Sequence, residues 1–241
     1  MIVLRSFIFN IVFYCNLILF LVLGSPFFLT PRKWSIAALK VWSRTNLWWL
    51  RVICRTDIQV RGLGNIPQGA VLLAGKHQSL WETFAILPYL DDPCMVLKRE
   101  LTFIPFFGWF IFKFRMIPVS RGSGSTALRQ LLAQGKIEAT AGRQIVILPE
   151  GTRVAPGAPP DYKPGAAALY AVLGIPCVPF GLNAGLYWPR RTFKRYPGTI
   201  ILEFGPMIAP GKPRKVFEVE MQTAIENISN RLLENVSRTG T

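Results

Sequence analysis

His77 is the only histidine in the 241 residues, so imidazole acid–base chemistry near neutral pH falls to this one side chain. It stands in "KHQSLWETF" (76–84), directly after the apolar run "VLLAG" (71–75), with Glu82 five positions on. Ser79 and Glu82 have the spacing of a capping box, which predicts a helix beginning at Ser79. The positive end of a helix disfavours an imidazolium and keeps His77 in its neutral, basic form. A carboxylate on the other ring nitrogen would fix the tautomer and draw the pKa back up. Glu82 is close enough in the chain to be that carboxylate, and it is equally placed to do no more than cap its own helix.

The second stretch with chemistry in it is "ILPEGTR" (147–153), where an apolar run stops at a proline and delivers Glu150, Gly151, Thr152 and Arg153 in a tight loop. A glycine beside an arginine lets backbone N–H groups and a planar guanidinium meet a phosphate together. An ordinary acidic turn with a solvated arginine uses the same residues. Other chemistries find no footing. G-x-S-x-G and H-E-x-x-H are absent, and one histidine without clustered cysteines makes a poor metal site, so neither a metal nor a cofactor is expected. "GPMIAPGKP" (205–213) has the wrong glycine spacing for a phosphate-binding loop.

The elements that must position these residues are those of an α/β domain with a mixed or parallel β-sheet flanked by helices. Strands are expected at 71–75, 145–148, 175–182 and 199–205. Helices are expected over "SLWETFAILPYL", "STALRQLLAQGKIEATAG", "KPGAAALYAVLG" and 215–236. His77 and Glu150 then each follow the end of a buried strand, where open α/β sheets present reactive side chains. No internal repeat interrupts the chain, so residues 57–241 read as one catalytic domain.

Residues 1–56 read as membrane-anchoring helices. Phe7 to Leu29 carries no charged side chain, and such a run, if helical, reaches across a hydrocarbon core of about 30 Å. Asn10, Asn16 and Gly24-Ser25-Pro26 weaken a simple spanning helix and leave room for a re-entrant hairpin whose second arm holds interfacial tryptophans and basic residues, so both arrangements stay open. Apolar sequence continuing past "VLGS" argues against a cleaved leader. Arg32, Lys33, Lys40 and Arg44 place the catalytic domain on the cytoplasmic side of the inner membrane by the positive-inside rule. Cys15, Cys54, Cys94 and Cys177 lie far apart, as reduced thiols do. Twenty-eight Lys and Arg against thirteen Asp and Glu give +15, which calls for an anionic partner. Its spread along the chain and the lack of a nucleic-acid motif point to anionic membrane lipids rather than nucleic acid.

Four ordered blocks together resemble the glycerolipid acyltransferase family that includes the 1-acylglycerol-3-phosphate acyltransferases. They are His77-Gln78-Ser79-Leu80-Trp81-Glu82, "KRELTFIPFFGWFIFKFRMIPVSRG" (98–122), Leu148-Pro149-Glu150-Gly151-Thr152-Arg153 and "GIPCVPFGLNAG" (174–185). Glu82 stands where the family commonly has Asp, Leu148 where it has Phe, and Ser120-Arg121 where it has Asp-Arg. The resemblance implies acyl transfer from acyl-CoA or acyl-carrier protein to lysophosphatidic acid, giving phosphatidic acid. It implies His77 and Glu82 as the catalytic pair, with Arg121, Glu150, Gly151, Thr152 and Arg153 binding the acceptor. Lyso-ornithine lipid or lysophosphatidylglycerol as acceptor, or a non-catalytic lipid-binding protein, are the alternatives.

Overall fold

The structure, a computed structural model, describes residues 1–120 and 124–239. Seven strands form one sheet: β1 (Thr56–Arg61), β2 (Val71–Gly75), β3 (Pro93–Lys98), β4 (Ile117–Val119), β5 (Gln144–Ile147), β6 (Cys177–Leu182) and β7 (Gly198–Phe204), in the order β1-β7-β6-β2-β5-β3-β4. All neighbours are parallel except β6 and β7, so the sheet is mixed. Its central strand is β2, paired with β5 on one side and β6 on the other. Every residue of β2 is buried, which is why it reads as an unbroken apolar run rather than an alternation.

Period-two alternation still divides the core. Val71 and Leu73 join one apolar cluster, while Leu72 and Ala74 join the other on the opposite face. The first face is covered by α1 (Ile2–Leu23), α2 (Arg32–Cys54), a single turn α3 (Glu82–Ala85) and α4 (Phe107–Lys113). The second is covered by α5 (Gly124–Thr140), α6 (Gly165–Leu173) and α8 (Arg214–Thr239). The remaining short turn, α7 (Ala184–Tyr187), follows β6. Along α8, Phe217, Met221, Ile225, Ile228 and Leu232 are buried. That three-to-four spacing is one helical stripe.

The helices α1 and α2 form a hairpin joined by a 3-10 turn at Ser25–Leu29. The helix α1 begins earlier than the uncharged run, taking in Arg5, and it is long and apolar enough to cross a membrane. Its first half is held on the domain: Arg195 N–H donates to Ser6 Oγ at 2.8 Å and Asn10 Nδ2 donates to Phe193 O at 2.8 Å. At the other end, Lys113 Nζ donates to Phe28 O and Thr30 O, at 3.0 and 2.5 Å.

Two local expectations change. The long helix from Ser79 is only α3, beginning at Glu82, because Pro88 cannot donate to a continuing helical ladder and a 3-10 turn at Leu87–Tyr89 takes over. Three further strands, β1, β3 and β4, complete the sheet.

Candidate active site

The strands β2, β5 and β6 are parallel, so their C-terminal ends open on one edge. His77 follows β2 there, Glu150 follows β5 and Asn183 follows β6. The backbone between His77 and Trp81 turns tightly and aims four donors inward. Glu82 Oε1 lies 2.7 Å from His77 Nδ1 and accepts the backbone N–H groups of Gln78 and Ser79, each at 2.8 Å. One carboxylate oxygen therefore does both things that the spacing left open: it caps the turn and holds the imidazole. The contact assigns the proton to Nδ1 and the lone pair to Nε2. Ser79 Oγ accepts from the N–H of Trp81 at 3.2 Å and donates to Trp188 O at 2.7 Å, so the serine half of the capping box is spent on anchoring the turn to the α7 segment.

The loop after β5 is laced to the same turn at two points. Glu150 Oε2 accepts the backbone N–H of His77 at 3.0 Å, and His77 O accepts the N–H of Val154 at 2.7 Å. Between them Gly151 takes φ +62°, a conformation that costs most other residues dearly and glycine little. Glu150 and Glu82 are buried, and Thr152 and Arg153 are exposed beside them. The guanidinium of Arg190 donates to Arg153 O, which brings a second positive charge to this loop. Arg121 lies outside the described residues. Ser120, just before it, accepts a hydrogen bond from Arg99 at 3.3 Å.

Behind the imidazole sits a cation that the spacing did not reveal. Lys76 is 2 % exposed, and its Nζ lies 2.9 Å from Glu150 Oε1 and 2.7 Å from Glu226 Oε1 on α8. Tyr162 OH donates to the same Glu226 oxygen at 2.7 Å. That contact, and burial before it, push the Tyr162 phenol well above its ordinary range. Gln78 Oε1 accepts the N–H of Gly185 at 3.0 Å, tying the His77 turn to α7. A lysine directly after a buried strand was the one available signal for this layer; its partner on α8 left none.

The arrangement supplies an imidazole oriented through Nδ1, a buried carboxylate scaffold, and an exposed arginine on the adjoining loop. It suits proton removal from a hydroxyl on a molecule that also carries an anionic group.

Residues 57–183 match the model of the family described as Acyltransferase. The chain is 39 % identical over 183 residues to a 1-acyl-sn-glycerol-3-phosphate acyltransferase of Pseudomonas aeruginosa, covering 75 % of this chain and 71 % of that one. A lyso-ornithine lipid O-acyltransferase of the same organism is 32 % identical over 111 residues, covering 45 % and 42 %. Among solved structures, the 1-acyl-sn-glycerophosphate (LPA) acyltransferase PlsC of Thermotoga maritima superposes with a TM-score of 0.76 over 98 % of both chains, at 22 % identity. That last likeness speaks for the fold.

Proposed function

This chain belongs to the acyltransferase family, and from that premise we propose that it moves a fatty acyl group from acyl-CoA or acyl-carrier protein to the sn-2 hydroxyl of lysophosphatidic acid, producing phosphatidic acid. The observation that carries the reading is the 2.7 Å contact between His77 Nδ1 and Glu82 Oε1, set next to a loop that offers Arg153. An alcohol is a weak nucleophile. Nε2 takes its proton as the oxygen attacks the thioester carbonyl, and Glu82 stabilises the imidazolium that forms. The new C–O bond replaces the C–S bond, and the proton passes from His77 to the departing thiolate. The thioester already holds an activated acyl group, so no acyl-enzyme is needed.

Arg153, and Arg121 by its place in the second block, bind the acceptor phosphate, with Glu150, Gly151 and Thr152 shaping the loop that presents it. Residues 1–56 anchor the catalytic domain, residues 57–241, to the cytoplasmic face of the inner membrane. The ties to the domain at Ser6, near the start of α1, and at Phe28, in the bend of the hairpin, favour a hairpin that dips into one leaflet over a free span. Surplus basic charge favours anionic lipids.

A lyso-ornithine lipid acceptor is the second reading, from the likeness to an enzyme named for it. The test offers the purified protein lysophosphatidate, lysophosphatidylglycerol and lyso-ornithine lipid in turn, with labelled acyl-CoA or acyl-carrier protein. Product from lysophosphatidate alone, or from it most rapidly, is expected. Turnover confined to the phosphate-free acceptor would reject the assignment.

A further inference from the structure

The connection from β3 to β4 holds ten consecutive residues without a charge, "FIPFFGWFIF" (103–112). Only part of this run faces the core. Phe110 and Ile111 are buried, while Phe103, Ile104, Phe106, Trp109 and Phe112 are exposed, Phe103 by 70 % and Phe112 by 61 %. A soluble surface scatters its large apolar side chains singly; five of them on one short connection is a patch.

Its backbone is built to display them. Phe106 has φ +62° and ψ −49°, and the N–H of Phe107 donates across it to Pro105 O at 2.7 Å, closing a γ-turn of the positive-φ kind. That turn is rare and strained, and a phenylalanine fills it where glycine would relieve it. The turn is also braced from the residues on either side. Gly108 N–H donates to Ile104 O at 2.8 Å, and a Cβ on Gly108 would come within 2.0 Å of Thr102 O. These contacts brace the aromatic knuckle with its large side chains exposed.

Two relations say what covers it. The knuckle continues the apolar surface of the hairpin: the Phe28 ring lies 4.6 Å from Phe110 and 6.4 Å from Trp109, and Leu23 and Leu29 are exposed nearby in sequence at the hairpin tip. Exposed Arg99 precedes it in the chain, and exposed Lys33 and Trp34 follow the hairpin bend that Lys113 holds at Thr30, the residue types that meet anionic headgroups at a membrane interface. Its place in the sheet gives it a use. β3 runs parallel to β5, so the knuckle springs from the same sheet edge as His77 and Glu150.

We propose that residues 103–112 form a second lipid-inserting element, part of the catalytic domain and separate from residues 1–56, that seats the edge bearing His77 against one leaflet. The inference rests on the reading that the hairpin is membrane-bound. The hairpin sets attachment, and the knuckle sets the tilt at which the site meets its lipid substrate.

The test uses the full chain with Cys15→Ser and a single polarity-sensitive label, at Phe106→Cys in one protein and at Leu19→Cys in another, mixed with vesicles of phosphatidylcholine and phosphatidylglycerol in equal amounts. Both labels are expected to shift to the blue and to be quenched by brominated acyl chains. A Leu19 label that enters lipid beside a Phe106 label that stays in water would overturn the proposal and leave the membrane-bound hairpin standing. If neither enters, both readings fall. In a second arm, Phe106→Asp with Phe112→Asp is expected to lower turnover of vesicle-embedded lysophosphatidate by about tenfold or more, since each side chain forfeits the burial of a large apolar group. Turnover of the same substrate in detergent micelles is expected to stay unchanged. Equal loss in both assays, or loss of a self-associated form by sedimentation, would show that the patch serves the fold or a second copy of the chain instead.

Discussion

Lys76 Nζ and Glu226 Oε1 stand 2.7 Å apart across 150 residues of sequence. The pair joins the strand that leads into His77 to the last helix of the chain. Through Glu150, whose two oxygens face Lys76 Nζ and the N–H of His77, Lys76 is linked to the backbone of His77. Buried ions of this kind are costly to leave alone: losing one partner of a buried pair costs about 3–5 kcal/mol. Lys76→Met is therefore expected to lower stability by that order, since it strands Glu150. Glu226→Gln is expected to cost less, because Lys76 keeps Glu150 and Tyr162 OH can still donate to the amide oxygen. Urea unfolding of the two variants in detergent checks this; equal costs would mean that Glu226, not Glu150, is the partner that matters.

His77→Ala is expected to lower kcat by about 10²–10⁴, the usual worth of a general base, while the melting temperature and vesicle binding stay as they were. Glu82→Gln separates the two jobs of that carboxylate. The amide oxygen can still accept the N–H groups of Gln78 and Ser79, so the turn is expected to persist. Stabilisation of the imidazolium is lost, and kcat is expected to fall with little change in KM. A Glu82→Gln protein with parental kcat would reduce the 2.7 Å contact to a cap.

Those two residues were legible from their types and a spacing that a tight turn enforces. So were β2, β5 and β6, whose buried apolar runs need no partner to be recognised, and β7, whose buried residues alternate along an apolar stretch. β1 was not, because "TDIQVR" at the sheet edge alternates with polar residues. Nor were β3 and β4, since one opens on Pro93 and the other has three residues with Pro118 in the middle. The Lys76 layer was hidden for a different reason. Its partner is set by where α8 packs, which is a tertiary outcome with no local pattern.

Arg153 is exposed next to Glu150 and makes no ion pair among the described residues, so its charge is available to a ligand. Arg153→Ala is expected to raise the apparent KM for lysophosphatidate by about tenfold or more, as losing a charge-assisted contact to phosphate costs roughly 1.5–3 kcal/mol. The kcat is expected to change little, because the phosphate is held equally in ground and transition states. Arg153→Lys should recover part of the loss, a point charge replacing a bidentate fork. Initial rates against acceptor concentration decide it, and an unaltered KM would move the phosphate elsewhere.

Asp92 fastens the hairpin to the domain and sets its acid limit. Arg32 on α2 donates to both its carboxylate oxygens, one of them at 2.6 Å, and the buried Arg143 donates to Oδ1 at 3.1 Å. Burial pushes this carboxyl up, but the Arg32 hydrogen bonds and the Arg143 charge outweigh it and hold the pKa below the ordinary value. The folded pKa is thus lower than the unfolded one. The stability it brings is fully present above the unfolded value of about 3.9 and is lost as pH falls through the lower folded value. Asp92→Asn is expected to melt below the parent at neutral pH, by a gap that holds down to about pH 5 and closes as the parent's Asp92 protonates below about pH 4. Melting curves of both proteins across that range test it. A gap that stayed open at acid pH would mean that the Asp92 charge is not what joins the hairpin to the sheet.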